Sequence, residues 1–578
     1  PPKPFSSAWQ QAASQSLPQS RFRGVGIKSF SLAFTRAEAA KSGVFIKQIV
    51  ACRAFLDKQA QPFYNASDMK DMKDFMRLPP PVRFALARLN AAGFEAFLVG
   101  GCVRDACLGK KPQDFDIATQ ARPEEVQEAF QGEKLLDIGL KHGTLTLVKD
   151  GLHIEITTYR QDSVYSDGRH PDAVRFTRSL REDVLRRDFT INAIAWDMHH
   201  PETLIDPLGG ARDLKDKLLR ACSPSSLLDD PLRILRAVRL AVHLGMKIEK
   251  ETVLLIRAAV PGLSKVSAER IRDELFLILA GEHASMGIRI LDRLDALGFV
   301  LPELQDLKGV TQTAPHVLDT WEHTLATVDW LEKLHAVLAG DYKEDSASDI
   351  ILGLTVLQLG RYREQLRAHF SEGIHAERSL LALVKFSALY HDIDKPGTRS
   401  EDLDGRIHFY GHEASGSEPT RLRARSLALS SAEVERACVI VENHMRIHHL
   451  ARRGDQPSRR SIYRFFKAAG PAGVDIILLT LADTIATYGV TLEPDHWSRK
   501  LTVCLQLLDA WWKTPEVAVR PNQLLNGNEI MHELNLPPGK LVGMLLNALE
   551  EAQATGTVTN REEAWKYVTD RLEEIRLK

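Results

Sequence analysis

Two aspartates one residue apart, in Asp114-Phe115-Asp116-Ile117, are the side chains of this sequence whose type and spacing point most directly to chemistry. Side chains alternate along a strand, so Asp114 to Ile117 written as a strand turns both carboxylates to one face and sends Phe115 and Ile117 into a core. Carboxylates that close repel each other unless a divalent cation lies between them. Magnesium takes such oxygens together with phosphate oxygens. Upstream, Gly100-Gly101 lets backbone amides approach a phosphate chain, and Arg104 adds positive charge. The chemistry these types allow is phosphoryl transfer, with one cation activating a hydroxyl and another steadying the leaving group.

These residues also stand in a fixed order. Phe97-Leu98-Val99-Gly100-Gly101-Cys102-Val103-Arg104-Asp105 is followed, a short helix later, by Asp114-Phe115-Asp116. That order resembles the active-site signature of the polymerase beta-like nucleotidyltransferases. The whole string resembles the bacterial-type (class II) CCA-adding enzymes and poly(A) polymerases. The resemblance implies an α/β head, then an all-α body, with magnesium at the head, CTP and ATP as substrates and tRNA as partner. It implies a third acid from a neighbouring strand, for which Glu155 is the candidate beside Asp114 and Asp116. Gly100, Gly101 and Arg104 fall to nucleotide binding.

Further motifs extend it. The segment Tyr159-Arg160 to Val174, with Asp162, Tyr165, Asp167, Arg169, His170 and Pro171, resembles the flexible loop of relatives that add the terminal adenosine. Lys141 to Thr144 leans the same way, towards CCA addition. Arg186-Arg187-Asp188-Phe189-Thr190-Ile191-Asn192 resembles the motif that recognises the incoming ribose, which gives Arg187, Asp188 and Asn192 to the nucleotide. Asp229-Asp230-Pro231-Leu232-Arg233 reads as a helix start, its aspartates capping and Pro231 in the first turn. By resemblance Asp229, Asp230 and Arg233 form an amino-acid template that pairs with the edge of C or A; Asp229 stands where the family usually has Glu. Arg236 and Arg239 follow on the same helix, towards triphosphate or RNA backbone. Glu269 to Glu274 resembles the segment whose Arg and Glu brace that helix.

A second set of ligating types lies further on. His391-Asp392 in Tyr390-His391-Asp392-Ile393-Asp394-Lys395 places two metal-binding side chains side by side, with His323, His412, His444 and Asp483 before and after. The ordered set resembles the HD phosphohydrolase superfamily and implies an HD-like helical domain holding a divalent transition metal. Asp394 stands where Gly is usual, and Asn443 where a second His is common. The sequence leaves open whether this site hydrolyses a phosphoester or is a scaffold that keeps it.

The elements that must position these groups follow from apolar spacing. Val82 to Ala92 is amphipathic; Phe94 to Val99, Thr144 to Val148 and Leu152 to Thr158 read as strands; Leu232 to Leu244, Lys250 to Ala259 and Ala268 to Ala280 read as helices. The domains are therefore a leader over 1–80, a head over 81–215, a helical neck over 216–310, an HD-like domain over 311–513 and a tail over 514–578. The tail, with Leu524 to Ile530 and Pro537-Pro538-Gly539-Lys540, resembles the module that reaches the tRNA elbow. Two basic clusters, Arg421/Arg423/Arg425 and Arg452 to Lys467 with its aromatics Tyr463, Phe465 and Phe466, offer phosphate-tracking faces.

With a net charge of −1, RNA must be held by local basic surface and not by the overall field. Six cysteines without framework spacing point to free thiols. No apolar run reads as long enough to span a bilayer, so no membrane partner is expected. The first fifty residues carry seven Lys or Arg against one acid, Glu38. That composition suits an organellar (plastid or mitochondrial) transit peptide, and equally a disordered tail on a cytoplasmic protein. Two rival readings remain on sequence grounds: a poly(A) polymerase or A-adding enzyme, and an HD phosphohydrolase whose head only binds RNA.

Overall fold

Alternating burial in the head builds a sheet around the Asp116 strand. The computed structural model describes residues 63–65, 78–112, 114–137, 139–140, 143–162, 174–340, 349–375, 378–452 and 456–577. The strands are β1 (Phe63–Asn65), β2 (Ala96–Val99), β3 (Phe115–Thr119), β4 (Leu135–Leu136), β5 (Thr144–Lys149), β6 (Leu152–Thr158), β7 (Arg160–Asp162), β8 (Val174–Phe176), β9 (Ala195–Trp196) and β10 (Thr203–Ile205). Eight of them form one sheet in the order β1-β10-β9-β2-β3-β6-β5-β4, while β7 and β8 pair as a separate hairpin. Only β3 and β6 run parallel within that sheet; the other neighbours are antiparallel. The helix Pro80–Ala91 buries Val82, Ala85, Leu86 and Leu89, the stripe expected of a helix lying on a sheet, and starts with proline in its first turn. Residues 63–65, assigned to the leader from sequence, instead supply the edge strand β1. The rest of the basic leader lies outside the described residues, as do Lys141, His142 and 163–173 of the proposed loop.

Beyond the head the chain is helical, as its spacing indicates. Lys250–Ala259 and Ala268–Ala280 match the sequence reading residue for residue. One small departure is a pair of two-residue strands, Leu218–Leu219 and Lys247–Ile248, too short to leave a periodic signal. Another is a short hairpin of Arg399–Glu401 with Ile407–Phe409.

The helix Ala472–Tyr488 is buried from Ala472 to Thr487. Contrary to the sequence reading, the stretch Ala472–Thr491, this helix with the turn that follows it, is long and apolar enough to cross a membrane, and most of it is buried inside the protein. Its apolar character is that of a core helix, packed on Thr320–Leu338. That packing brings His323 and Asp483 together.

The tail, with helices Gly527–Glu533, Lys540–Thr555 and Arg561–Arg576, has its own core of residues such as Leu525, Ile530, Leu545 and Val568. Charge joins it to the body: Arg460 and Arg464 meet Glu551 at 2.9 and 2.8 Å, and Lys467 pairs with Glu550. The second basic cluster is thus a tail clamp, and its aromatics Tyr463, Phe465 and Phe466 are core residues. In the first cluster Arg423 pairs with Glu303 at 2.7 Å and Arg421 with Glu435 at 3.4 Å. All five described cysteines, Cys102, Cys107, Cys222, Cys438 and Cys504, are free.

One buried pair anchors the helix Ser431–Asn443, whose end carries His444. Glu433 closes a capping box with Ser430 and takes a fork from Arg378 at 2.7 and 2.8 Å. Burial alone would lift the Glu433 carboxyl; Arg378 and Ser430 outweigh it and take the pKa from 4.5 down to about 2. A carboxyl depressed by folding stabilises the fold above its unfolded pKa and loses that contribution as pH falls towards the folded value. Wild-type stability should therefore fall across pH 4.5 to about 2 partly through this group. Arg378→Met should cost about 3 kcal/mol at pH 7 in urea unfolding, because it strands a buried carboxylate.

Candidate functional site

The β3–β6 register sets the head site. Asp116 is directly paired with Glu155 across the parallel ladder and with Val99 across β2. Phe115 and Ile117 point into the core at 6% and 0% exposure, as alternation requires. The strand begins at Phe115, however, so Asp114 is not a strand residue; it stands exposed at the bend just before it. Two of the three carboxyls are raised. Burial raises the Asp116 carboxyl above its ordinary value, Arg187 opposes this, and Asp114 adds to it. Glu155 is raised by burial, then by Asp116 and Asp114.

Gly100 makes room for this arrangement. It follows β2 with φ +80°, and a Cβ there would stand 3.1 Å from Asp116 Oδ2 and 3.6 Å from an Arg187 nitrogen. Gly101 carries no such constraint: a Cβ there would meet only Arg104, at an ordinary 3.5 Å. Arg104 is already engaged, giving Nε to Asp105 at 2.8 Å and NH1 to the Asn192 amide oxygen at 2.7 Å.

From Asn192 a continuous polar relay runs out of the head into the neck. The Asn192 amide and the Phe189 backbone N–H both donate to Asp188 Oδ1, at 3.0 and 2.7 Å. Asp188 Oδ2 meets Arg236 at 3.2 Å; Arg236 lies 4.0 Å from Glu274, which takes Arg239 at 2.8 Å. Burial would raise Asp188, yet Arg236 and Arg233 hold it below the usual carboxylate range. Arg270 reaches Asp230 at 2.8 Å, so Arg270 and Glu274 of one helix brace the Asp230–Arg239 segment from opposite ends.

The Asp229-Asp230-Pro231 segment departs from the helix start read in the sequence. Asp229 ends a short helix, Ser226–Asp229, and accepts from Ser225 at 2.9 Å. Asp230 is extended, and the next helix starts only at Arg233. Neither aspartate caps that helix, although Asp230 Oδ1 accepts from the Leu232 N–H at 3.2 Å. Asp229 and Arg233 consequently do not share a helical face. Arg233 gives NH1 to the carbonyls of Ser226 and Arg187, at 2.9 and 3.4 Å.

The second site gathers all six side chains chosen from sequence. The helix Leu380–Tyr390 ends at His391-Asp392, Ser431–Asn443 ends at His444, and His412 opens His412–Ser415. All are buried, with Asp392 at the centre. His391 Nε2 and His412 Nε2 both lie 3.2 Å from its oxygens, His323 Nε2 3.4 Å and His444 Nε2 3.9 Å. Asp483 lies 3.0 Å from His323. Two ligand triads share Asp392: His323/His391/Asp392 and Asp392/His412/His444. The Nδ1 atoms of His391, His412 and His444 each bond a backbone carbonyl at 2.7 Å. A neutral imidazole donating through Nδ1 turns a bare Nε2 lone pair towards Asp392, the tautomer a metal ligand needs.

Sequence reading missed three members. Lys395 touches Asp392 at 2.6 Å from three positions on, and His448, one turn after His444, touches Asp483 at 2.9 Å. His316 packs edge-on to His323, and burial followed by Lys395 pushes its pKa down to about 4. Short spacing from an assigned ligand signals two of them, Lys395 and His448, three and four residues on; His316 lies in the loop before Thr320–Leu338 and leaves no such signal. Asp394, the extra acid, takes a bond from Ser415 instead of joining the cluster, and Asn443 bonds Val439 of its own helix at 2.8 Å. A cavity of about 880 Å³ opens beside the cluster, lined by Lys395, Arg406, His408, Tyr410, His448 and Lys500 among others.

A sheet whose paired strands crowd acids beside a glycine turn, braced by a helical neck, defines a nucleotidyltransferase architecture. The family model for the poly A polymerase head domain matches residues 96–220, and that for the probable RNA- and SrmB-binding site of polymerase A matches 245–308. The chain is 31% identical over 479 residues to the A-adding tRNA nucleotidyltransferase of Deinococcus radiodurans, covering 82% of this chain and 94% of that one. The CC-adding tRNA nucleotidyltransferase of Thermus thermophilus is 31% identical, with 82% and 93% covered. The CCA-adding enzyme of Leuconostoc mesenteroides is 37% identical over 45% of this chain and 65% of its own length. The chain therefore spans less than two thirds of that relative. The crystal structure of the Bacillus stearothermophilus CCA-adding enzyme in complex with CTP shares the fold, with a TM-score of 0.56 at 24% identity over 86% of this chain and 99% of that one. This chain belongs to the bacterial-type tRNA nucleotidyltransferase and poly(A) polymerase family.

Carboxyls raised by folding are harder to ionise in the native chain, so ionised Asp116 and Glu155 destabilise it at neutral pH, and that cost disappears as pH falls. Asp116→Asn should accordingly melt no lower than wild type in metal-free buffer at pH 7. Millimolar magnesium should raise the wild-type melting temperature by a few degrees and the variant's much less.

Proposed function

We propose that this chain adds CCA to the 3′ end of tRNA from CTP and ATP without a nucleic-acid template. The observation that carries the reading is the register of Asp116 with Glu155 beside the Gly100 turn, with the segment that carries Asp230 and Arg233 held by Arg270 on Asp230 and by Arg233 on the Arg187 carbonyl. Burial and neighbouring acids raise the Asp116 and Glu155 carboxyls, which suits a divalent cation, and magnesium held by Asp114, Asp116 and Glu155 would neutralise the phosphates and acidify the attacking hydroxyl. The chain's own residues do the rest. Arg187 and Arg104 flank the Gly100 turn and offer charge to a triphosphate. Asn192 and Asp188, locked to each other, present a fixed polar edge to a ribose. Asp230 spends one oxygen on Arg270 and the other on Leu232 N–H, and a carboxylate keeps further lone pairs to accept the amine of C or A. Arg233 spends NH1 on backbone and keeps further N–H groups for ring acceptors. G and U present the opposite donor pattern and would leave both groups unpaired. Catalysis is then positioning and charge stabilisation.

Full-length relatives of both A-adding and CC-adding kinds keep specificity a question for experiment. With a tRNA ending at the discriminator base, CTP alone should add two residues, and ATP should then add one. A-tracts made without CTP would replace this reading with poly(A) addition, and ATP use only on a CC-ended tRNA would replace it with A addition. Asp116→Ala should lower incorporation by about a thousandfold or more.

A second reading, metal-dependent phosphoester hydrolysis, is favoured by the histidine Nε2 atoms that converge on Asp392 beside a cavity lined with Lys395, Arg406 and Lys500 among others. It would use a divalent transition metal. His391→Ala should remove bound transition metal, measured by elemental analysis, and leave nucleotide addition within about twofold of wild type. Loss of addition in His391→Ala with retention in Asp116→Ala would reverse the assignment of the main activity.

A further inference from the structure

Asp183 is a buried carboxylate that the chemistry above does not use. It lies on the helix Leu180–Leu185 with 0% exposure, facing three donors. Oδ1 accepts from Arg186 Nε at 2.9 Å and from the Arg160 backbone N–H at 3.3 Å. Oδ2 accepts from Arg187 Nε and NH2, at 3.3 and 3.1 Å. These donors outweigh burial and hold Asp183 ionised, below its ordinary range.

Each contact leads towards the head site. Arg160 opens β7, the first strand of the β7–β8 hairpin, directly after the buried Tyr159. Arg187, turned back to Asp183 through Nε and NH2, presents NH1 to the Gly100 turn. A Cβ on Gly100 would lie 3.6 Å from that NH1 and 3.1 Å from Asp116 Oδ2, so the guanidinium and the catalytic carboxylate flank one point. The Arg187 carbonyl also accepts from Arg233 at 3.4 Å. Asp183 therefore links the foot of the hairpin to Arg187, whose guanidinium faces the Gly100 turn and whose backbone carbonyl meets Arg233.

We propose that Asp183 is a positioning residue for nucleotide addition: it aims Arg187 NH1 at the phosphate-binding point between Gly100 and Asp116 and ties that aim to the base of the β7–β8 hairpin. The inference rests on the proposed nucleotidyl transfer. Arginine is long and flexible, and its fork is fixed only when a planar acceptor holds it. Without the Asp183 charge, the field of Asp114, Asp116 and Glu155 draws the guanidinium forward into an ion pair with the acids that must receive the metal and nucleotide.

The test is a double-mutant cycle on the full chain, reading kcat and nucleotide KM for addition to tRNA. Melting temperature and tRNA affinity are measured on every variant. Asp183→Asn should lower kcat/KM for CTP and ATP by about tenfold or more, with tRNA affinity unchanged. Asp183→Glu, which keeps the charge, should recover part of the loss. On an Arg187→Ala background Asp183→Asn should cost no more than about twofold, because its effect passes through Arg187. If Asp183→Asn does not fold, Asp183→Glu with Arg187→Ala gives the same cycle. Losses that multiply in the double variant, or a loss explained by the unfolded fraction, overturn the inference while leaving nucleotide addition standing. A wild type that adds no nucleotide overturns the proposed function and this inference with it.

Discussion

Like charges brought together by strand register are the constraint on which the head depends. Asp116 and Glu155 are neighbours because β3 and β6 pair in parallel, and Asp114 joins them from the bend before β3. Folding this way costs free energy at neutral pH, since burial raises the Asp116 and Glu155 carboxyls and neighbouring acids add to it. A bound divalent cation would offset that cost, as the proposed phosphoryl transfer requires. Gly100 is the local concession: only a residue without Cβ fits between β2 and the Asp116 carboxylate at φ +80°.

The relay beyond the acids explains why head and neck act as one unit. Hydrogen bonds join Arg104, Asn192 and Asp188, and charge contacts carry on through Arg236 and Glu274 to Arg239, so that the segment carrying Asp230 and Arg233 is set relative to the head. Buried polar chains of this sort add little stability but fix geometry, because any displacement leaves a charge unpaired. Asp392 plays the corresponding part in the body, where several helix ends meet on one carboxylate and Lys395 balances its charge.

Much of this was legible in the sequence where the governing physics is local. Apolar spacing gave Lys250–Ala259 and Ala268–Ala280 to the residue, and the order of His323, His391-Asp392, His412, His444 and Asp483 picked out side chains that do converge. What was misread depended on distant partners or on backbone detail. Asp229 and Asp230 have the composition of helix caps, but extended backbone at Asp230 splits the segment into two helices. Arg460, Arg464 and Lys467 look like an RNA-facing cluster until Glu550 and Glu551 fold against them. Ala472–Thr491 is long and apolar enough to cross a membrane, which the sequence reading passed over, and the fold buries most of it in the core. The β3–β6 register likewise has no sequence signature; Glu155 was chosen by family likeness, and the ladder supplies the physical reason.

The central claim is that the acids at the head of β3 hold the cation against the nucleotide's phosphates. Anomalous diffraction from crystals grown with manganese and CTP tests it most directly. The account predicts a manganese peak within coordinating distance of both Asp114 and Asp116, with CTP phosphates beside Gly100. Manganese only at the Asp392 cluster, or CTP bound away from the Gly100 turn, would contradict it.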